Sequence, residues 1–267
     1  MVRHLAPVYL MTSWPQLYAD LDVRCVRPGT WLRTQAKNEA RLDLQWHPEP
    51  RGLQSQRVAY DGHGSMLDSM MRSVGLQREE MTFDGPPVRP RGGRPYVLVR
   101  PATVRREWMA EARNPDPVYL ARAAAALRGH FDVVSVADLQ GGAEWLVGTA
   151  PAADETYHAG ELNLEQLLEL VAGAAGVIGG VGWLLPAAIA YRVPMLLLYG
   201  GWGHVNGPQH TIDRRMDAGL VEQVFPDRFC PCNDRAHRCD KTISNLDEHL
   251  ERFTLRGLAR AGAAVAA

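Results

Sequence analysis

The chain has little of several things, and each scarcity closes off a class of protein. It carries only 4 cysteines in 267 residues, and 3 of them crowd between positions 230 and 239. A disulfide framework would spread them along the chain, so the sequence reads as that of a reduced, cytoplasmic protein. Net charge is nearly absent: 29 Lys+Arg against 30 Asp+Glu leave −1. No global field therefore draws the chain to nucleic acid or to an anionic membrane, and only a local basic patch could do so. Long apolar runs are missing too, because Gly and Pro interrupt each one before it reaches bilayer length, and residues 1–7 lack the apolar stretch of a secretory signal. No repeat of solenoid period is visible. What is present is average globular material, 46% hydrophobic and 22% charged, enough for two modest lobes or one large α/β domain.

The first part of the chain is weakly patterned. Residues 8–11 and 23–26 read as short strands, with a helix started by Pro15 between them. Residues 56–60 read as a further strand leading to the turn Asp61-Gly62-His63-Gly64, and 65–74 as a helix with Met66, Met70, Met71 and Val74 on one face. Between 85 and 95 the chain is rich in Pro, Gly and Arg without an apolar period, which marks a semi-rigid linker. The division expected is a truncated first lobe over 1–84, the linker, and a second lobe over 96–267.

The second lobe alternates cleanly. Residues 96–100, 131–136, 175–178 and 194–199 are nearly continuous apolar runs, separated by helical stretches. Asp116-Pro117 opens one helix as cap and first residue, and Asn163 with Gln166 forms a capping box for another. Continuous apolar strands alternating with helices indicate a parallel sheet covered on both faces.

Ligands of such sheets sit beyond the carboxyl ends of the strands. After 96–100 comes Thr103 with Arg100, Arg105 and Arg106, whose guanidinium forks match phosphate oxygens. After 175–178 comes Gly179-Gly180-Val181-Gly182-Trp183, where bare backbone amides at a helix start can approach an anion and Trp183 can stack on a ring. After 194–199 comes Gly200-Gly201-Trp202-Gly203-His204, with His204 as a candidate contact. The arginines also read as a solvated helix start, and the glycines as packing devices. Cys230, Cys232, His237 and Cys239 make a Cys3His set with the chemistry of a structural zinc site, although one-residue gaps are tighter than usual zinc spacing. A metal-free reduced loop and a labile disulfide stand beside that reading.

Four stretches together resemble the heptosyltransferase-like glycosyltransferases of family 9. They are Val8-Tyr9-Leu10-Met11-Thr12-Ser13-Trp14-Pro15-Gln16-Leu17-Tyr18, the strand and basic loop over 96–108, residues 157–170, and the run from Gly179 to Gly201 with the later Cys-rich loop. The resemblance implies a GT-B fold, α/β with two facing Rossmann-like lobes, the first incomplete. It also implies inverting sugar transfer from a nucleotide-diphosphate donor to a saccharide or other hydroxyl acceptor. Arg100, Arg105, Arg106 and the glycine-loop amides would stabilise the diphosphate leaving group without a catalytic metal. The chain departs from the family where an Asp-Thr-Gly and a nearby His are common: here stand Gly180-Val181-Gly182-Trp183-Leu184-Leu185-Pro186. The family's carboxylate base is expected before Met1, which makes Asp61 and His63 the candidate catalytic residues, against their reading as an ordinary turn. The alternatives are a degenerate nucleotide-binding or assembly protein, a modified-nucleobase (DNA) glycosyltransferase, and an epimerase acting on nucleotide sugars. The stretch Arg89, Arg91, Arg94, Arg100 is the one basic run that could touch a polyanion.

Overall fold

A computed structural model describes residues 7–76, 82–107, 109–142 and 144–266, with the backbone alone over 264–266. The centre of the molecule is a six-stranded, all-parallel sheet built from β3 (Tyr96–Val99), β5 (Asp132–Val136), β7 (Glu155–Tyr157), β8 (Gly176–Gly179), β9 (Met195–Leu198) and β10 (Val221–Val224). Its order is β10-β9-β8-β3-β5-β7. The chain starts in the middle at β3, runs outward to β7, and crosses back to place β8 on the other side of β3. This is the doubly wound Rossmann order, with its topological switch between β3 and β8.

The strands are apolar throughout because both faces are covered. Val97, Val99, Val133, Ile178, Leu196 and Leu198 pack under α3 (Pro117–Leu127) and α8 (Leu246–Ala266). Tyr96, Leu98, Val134, Val177, Met195 and Leu197 pack under α4 (Leu164–Gly173) and α5 (Leu184–Ala190). The caps read from sequence are formed: the Asp116 side chain accepts from Val118 N–H, and Asn163 and Gln166 close a reciprocal capping box. An antiparallel pair, β4 (Thr103–Arg105) from the β3–α3 connection with β6 (Glu144–Leu146) from the β5–β7 connection, folds over the end of β3.

The N-terminal lobe is small. β1 (Tyr9–Met11) and β2 (Arg24–Val26) pair in parallel, followed by α1 (Arg33–Arg41) and α2 (Met66–Ser73). The strand expected over 56–60 is not formed; these residues are exposed, and no neighbouring edge satisfies their backbone as a ladder would. Several elements carried no clear sequence signal: α1, β4, β6, β7, β10, α8 and the one-turn helices α6 (Gly203–Asn206) and α7 (Pro208–Thr211). The Pro- and Gly-rich segment before β3 is held against the second lobe. Tyr191 donates its hydroxyl to the Pro86 carbonyl at 2.8 Å, and Arg91 pairs with Glu155 at 2.6 Å. No helix among the described residues is long and apolar enough to cross a membrane.

Candidate active site

A cleft of about 760 Å³ lies between the lobes at the carboxyl ends of β3, β5 and β8. Trp14, Tyr18, Thr34, Lys37 and Arg41 form its N-terminal wall; Arg100, Arg105, Asp138, Tyr157 and Trp183 face them. Phe83 and Asp84 close the first lobe's side and the linker contributes Gly85 and Pro86, so all three parts of the chain meet there.

Arg100 follows β3 and lies with its guanidinium carbon 5.9 Å from the Trp183 ring centre, which ties the basic loop to the turn after β8. Of the two groups singled out from sequence, Arg100, Arg105 and Trp183 line the cleft, whereas Thr103, Gly179, Gly180, Val181 and Gly182 are outside its lining. The arginines are not bare, however. Glu144 of β6, with a side chain only 1% exposed, pairs with Arg100 at 3.0 Å and Arg105 at 2.7 Å and accepts the Thr103 hydroxyl at 2.6 Å. Arg113 is nearby and shares the Glu144 field; burial lowers the pKa of both Arg100 and Arg113. Three guanidiniums around one carboxylate leave an excess of two positive charges at the end of β3. Arg105 also donates to the Thr34 hydroxyl at 3.1 Å, joining the lobes. Arg106 is exposed and points to the Gly142 carbonyl instead of lining the cleft.

The glycines divide. Gly179 and Gly180 sit at the switch point, but a Cβ on Gly180 would lie 2.9 Å from Pro115 Cδ. One on Gly200 would enter the Asn114 backbone carbonyl, and one on Gly201 the Cys239 sulfur. Close packing of the 110–115 segment across β8 and β9 accounts for the glycines at 180 and 200, and the approach of Cys239 for the one at 201. Val181 packs into the core beneath α5, and Gly182 has open space around it. His204 is exposed and donates its backbone N–H to Cys232, outside the cleft lining.

Asp61 and His63 are not brought to the cleft. Asp61 accepts from the His63 N–H and the Ser69 hydroxyl and pairs with Arg72. The His63 backbone bond first, then Ser69, hold its carboxyl well below the usual range. That is the arrangement of a turn before α2, and the ordinary-turn reading accounts for it. The carboxylates lining the cleft are Asp84, Asp138 and Glu161. The most important residues that sequence reasoning passed over lie on α1: Thr34, Lys37 and Arg41. The available signal was the recurrence of cations at 33, 37 and 41, four residues apart.

Cys230, Cys232, His237 and Cys239 converge behind β9, with ligand atoms all within 4.8 Å of one another. Cys232 and Cys239 sulfurs are 3.6 Å apart, and His237 Nδ1 lies 3.2 and 3.6 Å from Cys239 and Cys230. A tetrahedron with 2.3 Å metal–sulfur bonds has edges of about 3.8 Å, so the set can hold a metal ion. Burial raises the Cys232 thiol, but hydrogen bonds from Cys239 and the Trp202 N–H outweigh it and leave the pKa lowered; Cys239 is pushed up to about 11 by burial.

No protein-family profile and no curated protein matches the chain. Solved structures do. The dodecameric iron-containing heptosyltransferase TibC, in complex with ADP-D-β-D-heptose, matches at a TM-score of 0.51 and 16% identity, over 96% of this chain and 76% of that one. TibC from enterotoxigenic E. coli H10407 matches at 0.52 and 15%, over 96% and 74%. The likeness is one of fold: the two-lobed α/β architecture that the sequence resemblance implied is that of a solved glycosyltransferase.

Proposed function

We propose that the protein transfers a glycosyl group, with inversion, from a nucleoside-diphosphate sugar to the hydroxyl of a saccharide or other acceptor. Residues 1–84 would serve the acceptor and 96–267 the donor. The observation that carries the reading is the placement of the cleft: it opens at the switch point of a Rossmann sheet, walled by Arg100, Arg105 and Trp183, and the N-terminal lobe faces it with Lys37 and Arg41. The nucleotide sugar in complex with TibC, ADP-D-β-D-heptose, is of this class.

The chemistry follows from the charges. The acceptor oxygen attacks the anomeric carbon from the face opposite the leaving group, and the bond to the β-phosphate breaks with its electron pair passing to the diphosphate. Cations already in place stabilise that growing charge without reorganising. The apolar side of the cleft, with Phe83, Tyr157, Trp183 and Tyr191, suits a base or sugar ring. The acceptor proton passes to a base drawn from Asp84, Asp138 and Glu161, the carboxylates of the cleft. Asp138 already holds Arg33 and Lys37, at 3.1 and 3.2 Å. No catalytic metal enters these steps. The Cys3His group sits apart, as a structural site for zinc; the iron of the similar fold makes iron the alternative, since thiolate-rich tetrahedral sites suit both. Its free thiols accord with a cytoplasmic setting.

A thermal-shift panel of ADP-, GDP- and UDP-sugars tests the reading, because a ligand that binds only the folded state raises Tm by mass action. At least one sugar nucleotide should stabilise the protein, and Arg105→Ala should reduce the shift. No shift with any of them removes the proposal. A second reading, nucleotide binding without turnover, draws on Glu144 occupying Thr103, Arg100 and Arg105. Binding without glycosyl product, across a range of saccharide acceptors, would favour it.

A further inference from the structure

Among the described residues, the cationic side chains of α1 (Arg33, Lys37 and Arg41) find their partners in the second lobe. The helix's other face is fixed in its own lobe: Asn38 donates to the Ser13 carbonyl at 2.6 Å, and Glu39 accepts from Ser13 at 2.6 Å and pairs with Arg27 at 2.8 Å. Arg33, Lys37 and Arg41, spaced by four, then project across to the second lobe. Like charges at that spacing repel and weaken a helix, so the stripe stands against local stability. Across the gap, Asp138 is the carboxylate it pairs with among the described residues. Asp138 takes Arg33 at 3.1 Å and Lys37 at 3.2 Å, whereas Arg41 reaches only peptide carbonyls, Gly160 at 2.6 Å and Leu162 at 2.9 Å.

The two carboxylates that pair with cations of the cleft, Glu144 and Asp138, differ in what they can release. Glu144 is sealed inside with Arg100 and Arg105. Asp138 shares two cations, and Lys37 is the one of them that lines the cleft. When Lys37 leaves, Arg33 still neutralises Asp138, through its carboxylate and its backbone carbonyl at 3.3 Å. Resting on the sugar-nucleotide reading, we infer that α1 is a cross-lobe anion clamp in which Lys37 leaves Asp138 to hold the donor's diphosphate. The donor thereby becomes a bridge between the lobes, with Arg105 on one side and Lys37 on the other.

Calorimetric titration of the full chain with inorganic pyrophosphate, ADP, GDP and UDP tests this. Lys37→Ala should weaken diphosphate binding about tenfold, or ~1.4 kcal/mol, and Lys37→Arg should retain most of it. Asp138→Asn should tighten binding several-fold, because it removes the competitor for Lys37. Both Lys37→Ala and Asp138→Asn break the same ion pair, so a merely structural contact moves them in one direction. If the wild type binds a diphosphate and the two variants shift together or not at all, the clamp is overturned while the transferase reading stands. If the wild type binds none of the four ligands, both fall.

Discussion

Glu144→Gln is the perturbation whose outcome the geometry bounds most tightly. The wild-type carboxylate is 1% exposed and neutralises Arg100 and Arg105, which are 16% and 28% exposed. The amide keeps the volume and one acceptor, so no cavity forms, but it offers that oxygen to three donors: Thr103, Arg100 and Arg105. Removing one partner of a buried ion pair commonly costs 3–5 kcal/mol, and partial access of water to both arginines places the expected loss near the lower end, about 3 kcal/mol. For a chain of this size each kcal/mol shifts Tm by roughly 2–4 °C, so differential scanning fluorimetry should show a fall of about 6–12 °C. The same charge imbalance should appear as anion rescue: added phosphate should recover more Tm in the variant than in the wild type, since it replaces the lost negative charge among Arg100, Arg105 and Arg113. A variant that melts within a degree or two of wild type, or that ignores phosphate, refutes the charge reasoning.

Trp183→Ala removes the ring beside Arg100 and the apolar wall of the cleft, and should raise the donor Kd about tenfold in calorimetry with little change in the Arg105-dependent part. Gly200→Ala forces a Cβ into the Asn114 backbone, which has no room to yield; overpacking of this kind costs about 1–3 kcal/mol, measurable by urea denaturation. Purified protein should carry about one metal equivalent by mass spectrometry, and Cys239→Ser or chelation should remove the metal and lower Tm. Glu222 adds an acid-limb prediction. Burial raises its pKa, but hydrogen bonds from Arg252 and His249 outweigh this and leave it lowered. Its contribution is then present above the unfolded glutamate value of about 4.3 and is lost as pH falls through the folded value. Glu222→Gln should flatten stability against pH below that point, and an unchanged acid limb would count against the assignment.

The second lobe was legible because its signals are local. Continuous apolar strands such as 96–99 and 195–198 can be satisfied only between two covered faces, and caps such as Asp116-Pro117 and Asn163 with Gln166 act over three or four residues. The parallel sheet, the switch-point loops and the Cys3His set therefore follow from the chain itself. β10 and α8 were harder: Glu222 interrupts the strand, and the helix packs one face only.

The sequence alone determined a Rossmann lobe, the basic and aromatic groups at its edge, and four metal-type ligands within ten residues. Tertiary structure decided which of these groups act together. It paired Arg100 and Arg105 with Glu144 from forty residues downstream, gave Gly200 and Gly201 to packing, kept Asp61 and His63 on their own turn, and brought Lys37 across to Asp138. The reason is physical: propensity and capping are properties of neighbours in the chain, whereas the charge that balances a guanidinium is set by whatever the fold places within a few ångströms of it.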